Sequence, residues 1–589
     1  MKGDTLREYK RSWIAARRKV KKRIAVLDFE TDPFSKSKND VYPFCGEIWD
    51  GKNSIVIWEE DFEKFAAAIT DALASLSPEF NWTVYAHNGG KFDYMYLLKF
   101  LRGQVSFKGR GIMAAKIHDH VELRDSMHIL PAPLREYKKD DFEYGMLVKN
   151  RRNKNKKAIL EYLHSDCVYL YDLVSHFVER HGIKLSIGQA ALGILKSYYE
   201  IDSLGEAADE LLRQWYYGGR VECLQGAGKF EGDYAVYDVN SMYPAVMAFC
   251  HHPVSSDFSI RDGRGSHVPI YDSTVFLEVR CKNYGALLAR AEDGSLTANI
   301  SKGVFKCTIW EFEVAKKLDL IRDIRVLKCV DFRRREAFPN FSIPLYENRQ
   351  RLKQQIDEIN NTGGNSNLTD ELERELLVEK FLLNNGYGKL AQNPRNFREY
   401  YYTDYDSAPP GELVDIFKFR DDDGGIWEAD SELYGEFRVW KKPVQQWRFN
   451  NVATAASITG AARAKLLEKI HTSHDVIYCD TDSVFARYDP SYHSTNDLGA
   501  WKLEKRFNEA IILGKKLYTY NGPDLKSPTI RSKGGRGLDW KDFEDMLYGR
   551  NVIKLNQAPH FDKTGHQSYM ERTFSMTCPR GYRSRIFSA

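Results

Sequence analysis

The sequence predicts a multidomain chain of α/β and α+β folds, and three observations carry that expectation. Its 589 residues exceed what one hydrophobic core usually holds, so several subdomains are needed. Short apolar, β-branched runs that end in carboxylates recur at residues 23–31, 235–239 and 476–485. Stretches with helical apolar spacing lie between them, at 159–168, 184–215 and 340–390.

Hydrophobic residues make up 43% and charged residues 29%, a globular balance that argues against a disordered chain. The net charge of +4 is too small to argue a polyanionic partner, but its distribution is uneven. Lys2 to Arg23 holds ten basic residues against Asp4 and Glu8, and Lys149 to Lys157 is a second basic run. Each is either a solvated surface or a phosphate contact. The nine cysteines contain no C-x-x-C, which argues against a zinc or iron–sulfur site and for a reducing compartment. No apolar run is long enough to span a bilayer and no signal peptide is visible, so the expectation is a cytoplasmic protein without membrane contact.

In chain order, residues 23–31 read as a buried strand that emerges into Asp28 and Glu30, with Phe29 turned inward between them. Residues 83–93 read as a strand, a glycine turn and a helix opening near Asp93. In the helix at 159–168, Tyr162 and Asp166 are four apart and share a face. Four carboxylates with a Tyr hydroxyl beside the last can hold two divalent metals for in-line phosphodiester hydrolysis. The order D-x-E, N-x-x-x-F-D, Y-x-x-x-D resembles the DEDDy 3′–5′ exonucleases on a ribonuclease H-like sheet. The resemblance implies that His87, Asn88, Ser126 and Met127 hold a frayed 3′ strand.

Farther along, Asp238 ends an apolar strand, and Pro244 is expected to stop the turn that follows. Asp480 and Asp482 lie in the turn of a predicted hairpin; alone, this D-x-D could be an acidic β-turn. Together with Asp238 it makes an oxygen-rich site suited to Mg²⁺, since buried carboxylates need a cation or hydrogen bonds. Tyr216, Gly218 and Gly219 form a Y-x-G-G turn whose paired glycines let a phosphate approach main-chain N–H groups. Residues 340–390 read as two helices around the turn signal at 360–367. Arg349 and Lys353 share a face of the first; Lys380, Asn384 and Tyr387 share a face of the second. Three cations facing one site suit a triphosphate.

These motifs, in this order, resemble a family B DNA polymerase of the protein-primed group found in small phages, adenoviruses and linear plasmids. Residues 238–244 are similar to its motif A, 380–388 to motif B, 478–483 to motif C, and Lys516-Leu517-Tyr518 to the K-x-Y motif that opens the thumb. Asn385 departs from the Ser usual in motif B, which puts fine positioning of the templating base in doubt. The resemblance implies a ribonuclease H-like exonuclease domain followed by a right-handed palm, fingers and thumb. In such a site Asp238 and Asp482 bridge two Mg²⁺ ions (Mn²⁺ a substitute), with Asp480 and the Val239 carbonyl as further ligands. Tyr243 becomes the steric gate against a 2′-OH. Thr459 and Arg463 (a T-x-x-A-R element), Lys516 and Tyr518 become DNA contacts, and Lys139 resembles a lysine that assists hydrolysis in protein-primed relatives.

About 100 residues separate Pro244 from the first fingers helix and roughly 90 separate motifs B and C, longer than ordinary connections require. Protein-primed relatives carry insertions at these two places. The expected organisation is a basic arm at 1–22, exonuclease at 23–185, and linker with palm start at 186–249. An insertion at 250–338 follows, expected to bind a terminal protein, then fingers at 339–390. The rest of the palm falls at 391–397 and 449–515, interrupted by a strand-displacement hairpin at 398–448, and the thumb takes 516–589. The expected partners are primer-template DNA, single-stranded DNA, dNTPs and a terminal protein, acting on a monomer. Open alternatives are an enzyme that extends nucleic-acid primers or starts without one, and a decayed DNA-binding relative; a stand-alone exonuclease is disfavoured by the complete polymerase motifs.

Overall fold

The computed structural model describes residues 21–32, 41–134, 142–362, 366–404, 407, 409, 411–415, 418–421, 424–429, 437–442, 450–533, 537–555, 559–561, 567–569 and 571–588. The basic arm up to residue 20 and Lys139 lie outside them. The chain divides into two compact units, 1–187 with 394–446 and 557–570, and 188–393 with 447–556 and 571–589. No helix of the described residues is long and apolar enough to cross a membrane, and all nine cysteines are unbonded.

The first unit is built on β1 (Lys21–Thr31), β2 (Pro43–Trp49), β3 (Ser54–Trp58), α1 (Phe62–Ala74), β4 (Phe80–Ala86), β5 (Gly103–Lys108), β6 (Gly111–His118), β7 (Val121–Asp125) and α2 (Lys156–His181). β1 runs parallel to β4 and β4 parallel to β7, while β2, β3, β5 and β6 join antiparallel. α1 starts because the Asp61 carboxylate accepts from Lys64 N–H, and its Phe65, Ala66, Ile69 and Leu73 stripe is buried on the sheet. Phe29 meets Phe65 edge-on with centroids 5.1 Å apart, which fixes the opposite face of β1 for Asp28 and Glu30.

The segment that the sequence assigned to an insertion in the palm instead completes this sheet. Strand Phe397–Asp404 pairs antiparallel with β5, and Phe437–Lys441, Ile426–Ala429, Lys418–Arg420 and Glu412–Asp415 extend it to twelve strands. Tyr400 and Tyr402 are buried in the same core as Val105 and Phe107. The basic run at 149–157 is partly internal: Arg152 is buried over the Phe44 ring and paired with Glu60, and Lys156 lies over Trp58.

The second unit contains β8 (Val221–Cys223), β9 (Gly228–Val239), α3 (Met242–Phe249), β10 (Phe258–Asp262), β11 (Thr274–Asn283), β12 (Lys302–Thr308), α4 (Ile309–Lys317), β13 (Ile321–Phe332), α5 (Pro339–Thr362), α6 (Ser366–Leu390), α7 (Val452–Thr472), β14 (Tyr478–Asp480), β15 (Ser483–Arg487), β16 (Trp501–Gly514), β17 (Leu517–Asn521) and β18 (Thr529–Ser532). Its main sheet runs β18-β17-β16-β9-β15-β14-β8. The boundary drawn at residue 516 falls inside this sheet, because β17 and β18 continue it beyond β16. A second sheet, β10-β13-β11-β12, is formed from residues 250–338 together with α4. Pro244 does not stop the chain after β9: it sits in the first turn of α3, where a missing N–H costs nothing. The small residues of α7 bury it almost entirely, against α4, α3 and α6.

Candidate active site

Two acidic clusters emerge, one in each unit. In the first unit, β1 delivers Asp28 and Glu30 to one face and α2 delivers Asp166; carboxylate oxygens of all three lie within 4.8 Å of one another. Asp93 opens the short helix Asp93–Tyr96, is 2% exposed, and leaves Oδ1 without a hydrogen-bond partner among the described residues. Burial, then repulsion from Asp93, Glu30 and Asp166, pushes Asp28 well above the usual carboxylate range. Burial and repulsion from Asp166 and Asp93 lift Glu30 to about 8, and burial lifts Asp93 to about 7. Four clustered carboxylates, three of them partly buried and Asp93 buried with an orphaned oxygen, fit a hard divalent cation. Tyr162 lies beside them, its ring stacked on Phe142 at 4.1 Å and its hydroxyl 3.4 Å from that of Tyr144.

Two of the four residues expected to grip a 3′ strand here are spent internally. Ser126 is fully buried and its hydroxyl lies 3.2 Å from the Ala86 carbonyl and 3.0 Å from His87 Nδ1. The His87 Nε2 lies 2.9 Å from the Ala132 carbonyl, and burial lowers this imidazole to about 4. Ser126 and His87 therefore tie β4 to the loop after β7. Asn88, in the left-handed region (φ 61°), and Met127 remain partly exposed.

In the second unit, Asp238 near the end of β9 sits directly opposite Ser483 of β15. The β14–β15 hairpin turns through Thr481 at φ 63°, and the Val239 N–H donates to the Asp482 carbonyl at 3.0 Å. Burial and then Asp482 raise Asp238 to about 7; burial and then Asp480 raise Asp482 to about 6. Asp480 is paired with Lys516, Nζ to Oδ1 2.8 Å, and accepts from Thr481 Oγ1 at 3.0 Å. This all-oxygen donor set also fits a divalent cation.

The sequence reading missed two neighbours. A bulge in β16 between Leu503 and Lys505 leaves Glu504 out of register with β9, and its carboxylate raises both Asp238 and Asp482. Lys502 lies opposite Asp238 and lowers it. A charged K-x-E pair at a strand start was the available signal, but the bulge that aims it is a property of the pairing.

From α5, Arg349 Nη1 donates to Ser241 Oγ at 3.1 Å. Lys353 is lowered by burial, then by Arg349, Lys502 and Lys380, which places the four cations together. The Tyr243 ring stacks on Tyr387 with centroids 4.4 Å apart, near the Asp482 charge. Asn384 is exposed on α6 beside them, and Asn385 turns its amide back to the Phe381 carbonyl at 2.8 Å. Gly218 is exposed, Tyr216 is partly buried, and a Cβ on Gly219 would stand 2.7 Å from Thr481 Cγ2, so that turn presses on the aspartate hairpin.

Three expected DNA contacts face inward instead. Thr459 is 2% exposed and bonds to the Ala456 carbonyl, and Arg463 is 3% exposed and forked on Glu311. Tyr518 is 8% exposed, packed on Tyr478 and Phe485. A helix of small residues invited close packing on all sides, which brings its Thr and Arg into the interior as well.

The sequence profile of DNA polymerase type B, organellar and viral, matches residues 120–476, more than half of the chain. The DNA-directed DNA polymerase of Enterobacteria phage PRD1 is 31% identical over 593 residues, covering 95% of this chain and 99% of that protein. A probable DNA polymerase of Ascobolus immersus is 21% identical over 91% of this chain and 49% of that protein. Among solved structures, Phi29 DNA polymerase complexed with primer-template DNA and incoming nucleotide superposes with a TM-score of 0.64 at 14% identity, over 94% of this chain and all of that one. That likeness concerns the fold; family rests on the profile and on the phage relative, and by both this chain belongs to the type B DNA polymerases, organellar and viral.

Proposed function

We propose that this protein replicates a linear genome as a template-directed DNA polymerase that starts on the hydroxyl of a terminal protein, proofreads 3′–5′ and displaces the strand ahead of it. The observation that carries the reading is the pair of acidic clusters, Asp238–Asp480–Asp482 at strand ends of the second unit and Asp28–Glu30–Asp93–Asp166 on a strand and two helices of the first. Mg²⁺ is the ion that suits both, with Mn²⁺ as a substitute. When bound, such ions acidify the attacking hydroxyl or water and neutralise charge on the reacting phosphate.

The chain's own groups do the rest. Asp238 and Asp482 supply ligand oxygens at the polymerising site, with Asp480 and the Val239 carbonyl beside them. Arg349, Lys353, Lys380 and Lys502 hold the triphosphate, and transfer depends on their positioning. Tyr243 closes the space beside the sugar. In the other cluster, the Tyr162 hydroxyl orients the attacking water next to Asp166.

The partners are primer-template DNA, single-stranded DNA and dNTPs; Phi29 polymerase, of like fold, has been solved with the first two. The terminal protein engages the sheet β10-β13-β11-β12, strand displacement falls to residues 398–448, and the thumb is 533–589. A monomer working in the host-cell cytoplasm completes the reading. Incubation with a terminal protein encoded beside this chain, labelled dNTP and Mg²⁺ tests the priming step: label linked to that protein supports it. Elongation of a DNA primer without any protein-linked label would instead favour initiation on nucleic acid.

A further inference from the structure

Arg463 stands where the family resemblance puts a DNA contact, yet it is 3% exposed and all three of its guanidinium nitrogens donate to protein oxygens. Its Nε and Nη2 donate to Glu311 Oε1 and Oε2 at 2.7 and 2.9 Å. Its Nη1 donates to the carbonyls of Tyr217 and Gly218 at 2.7 and 2.9 Å. Glu311 is itself 4% exposed and is fixed in a capping box, accepting from the N–H and hydroxyl of Thr308. The helix it opens, α4, reaches α7 closely because residue 460 is glycine: a Cβ there would stand 2.3 Å from Thr308 Oγ1.

The two carbonyls held by Arg463 belong to the turn whose next residue, Gly219, touches Thr481. One residue farther on, the Arg220 carbonyl accepts the Thr481 N–H at 2.8 Å. Thr481 is the left-handed residue between Asp480 and Asp482, so the turn and the aspartates move together.

We infer that Arg463 is a positioning residue, which ties the Glu311 helix of the 250–338 insertion to the Tyr216–Gly219 turn and thereby sets the Asp480–Asp482 hairpin, without touching DNA. A fork with four donors in use is a task for Arg rather than Lys, whose single ammonium cannot span Glu311 and two carbonyls. The inference rests on the polymerising role of Asp238, Asp480 and Asp482 and adds the device that aims them.

The test compares E311Q, R463K and G219A with the wild type in single-nucleotide primer extension and in DNA-binding titrations over a range of salt. All three variants are expected to lower kcat, by up to about 10²-fold for a displacement near 1 Å. For E311Q and R463K, affinity for primer-template DNA and the slope of log affinity against log salt should stay at wild-type values. Glu311 is diagnostic, since a carboxylate gains nothing from a phosphate; G219A and the milder T308V cover the case in which a charged-pair variant fails to fold. The inference is overturned if R463K weakens DNA binding with the salt slope reduced by about 1, the mark of a lost phosphate contact, or if E311Q, G219A and T308V all keep the wild-type kcat. A wild type inactive in extension would instead sink the polymerase reading itself.

Discussion

Lys516 Nζ lies 2.8 Å from Asp480 Oδ1, so one of the two aspartates in the β14–β15 turn is already neutralised by the chain. Its neighbour Asp482 faces Asp238 instead, and burial with carboxylate repulsion holds both above the usual range. Asp482 is therefore the aspartate with unmet demand for a cation. D482A should lower polymerisation by ~10³-fold or more and D480A by only ~10²-fold, by analogy with loss of one preorganised electrostatic group. Steady-state primer extension measures the difference; equal losses would mean that the Lys516 pair opens when substrate binds.

Tyr243 is braced by Tyr387, ring centroids 4.4 Å apart, beside the space proposed for the sugar. Y243V should raise ribonucleotide incorporation relative to deoxyribonucleotide by about two orders of magnitude, at the upper end of what a steric pocket discriminates. Competition between rNTP and dNTP opposite one template base gives the ratio. An unchanged ratio would return Tyr243 to a packing role.

Tyr400 is 1% exposed and meets Phe107 edge-on at 5.5 Å, although nearly 300 residues lie between them. Y400A should destabilise the first unit by about 3–5 kcal/mol, the usual cost of emptying a large aromatic site. Urea unfolding followed by limited proteolysis should show that unit opening earlier while the second is unaffected. Simultaneous loss of both would mean that the units fold as one.

The pH dependence has a definite sign. Glu30 at about 8 and Asp93 at about 7 stand above their ordinary values near 4, so the folded chain retains protons there that the unfolded chain has released. Their contribution is intact below about pH 4 and is lost as pH rises toward about 8. With EDTA present, thermal stability of the first unit should fall across that window. Added Mg²⁺, which takes the place of the protons, should raise the Tm more near pH 8 than near pH 5. D28N should flatten both trends.

Much of both sites could be read in the sequence because strand alternation and i, i+4 spacing act locally. The Asp28–Phe29–Glu30 alternation, the Tyr162–Asp166 face and the two-strand hairpin around Thr481 all follow from neighbours in the chain. What escaped depends on partners distant in sequence. Nothing in residues 397–404 announces β5 as their neighbour, and the register slip that exposes Glu504 arises where β16 meets β9. The inward turn of Ser126, Arg463 and Tyr518 has the same origin: each residue type is common in DNA contacts, and tertiary packing decided otherwise.

The central claim is that one chain carries two separate acidic sites with opposite actions on a primer end. The most direct measurement follows a 5′-labelled primer annealed to a longer template, with Mg²⁺, in wild type, D28A and D482A, with and without dNTPs. The wild type is expected to extend the primer with dNTPs and to shorten it from the 3′ end without them, D28A to extend but no longer shorten, and D482A to shorten but no longer extend. Loss of both activities in either variant, or a wild type that does neither, would contradict that claim.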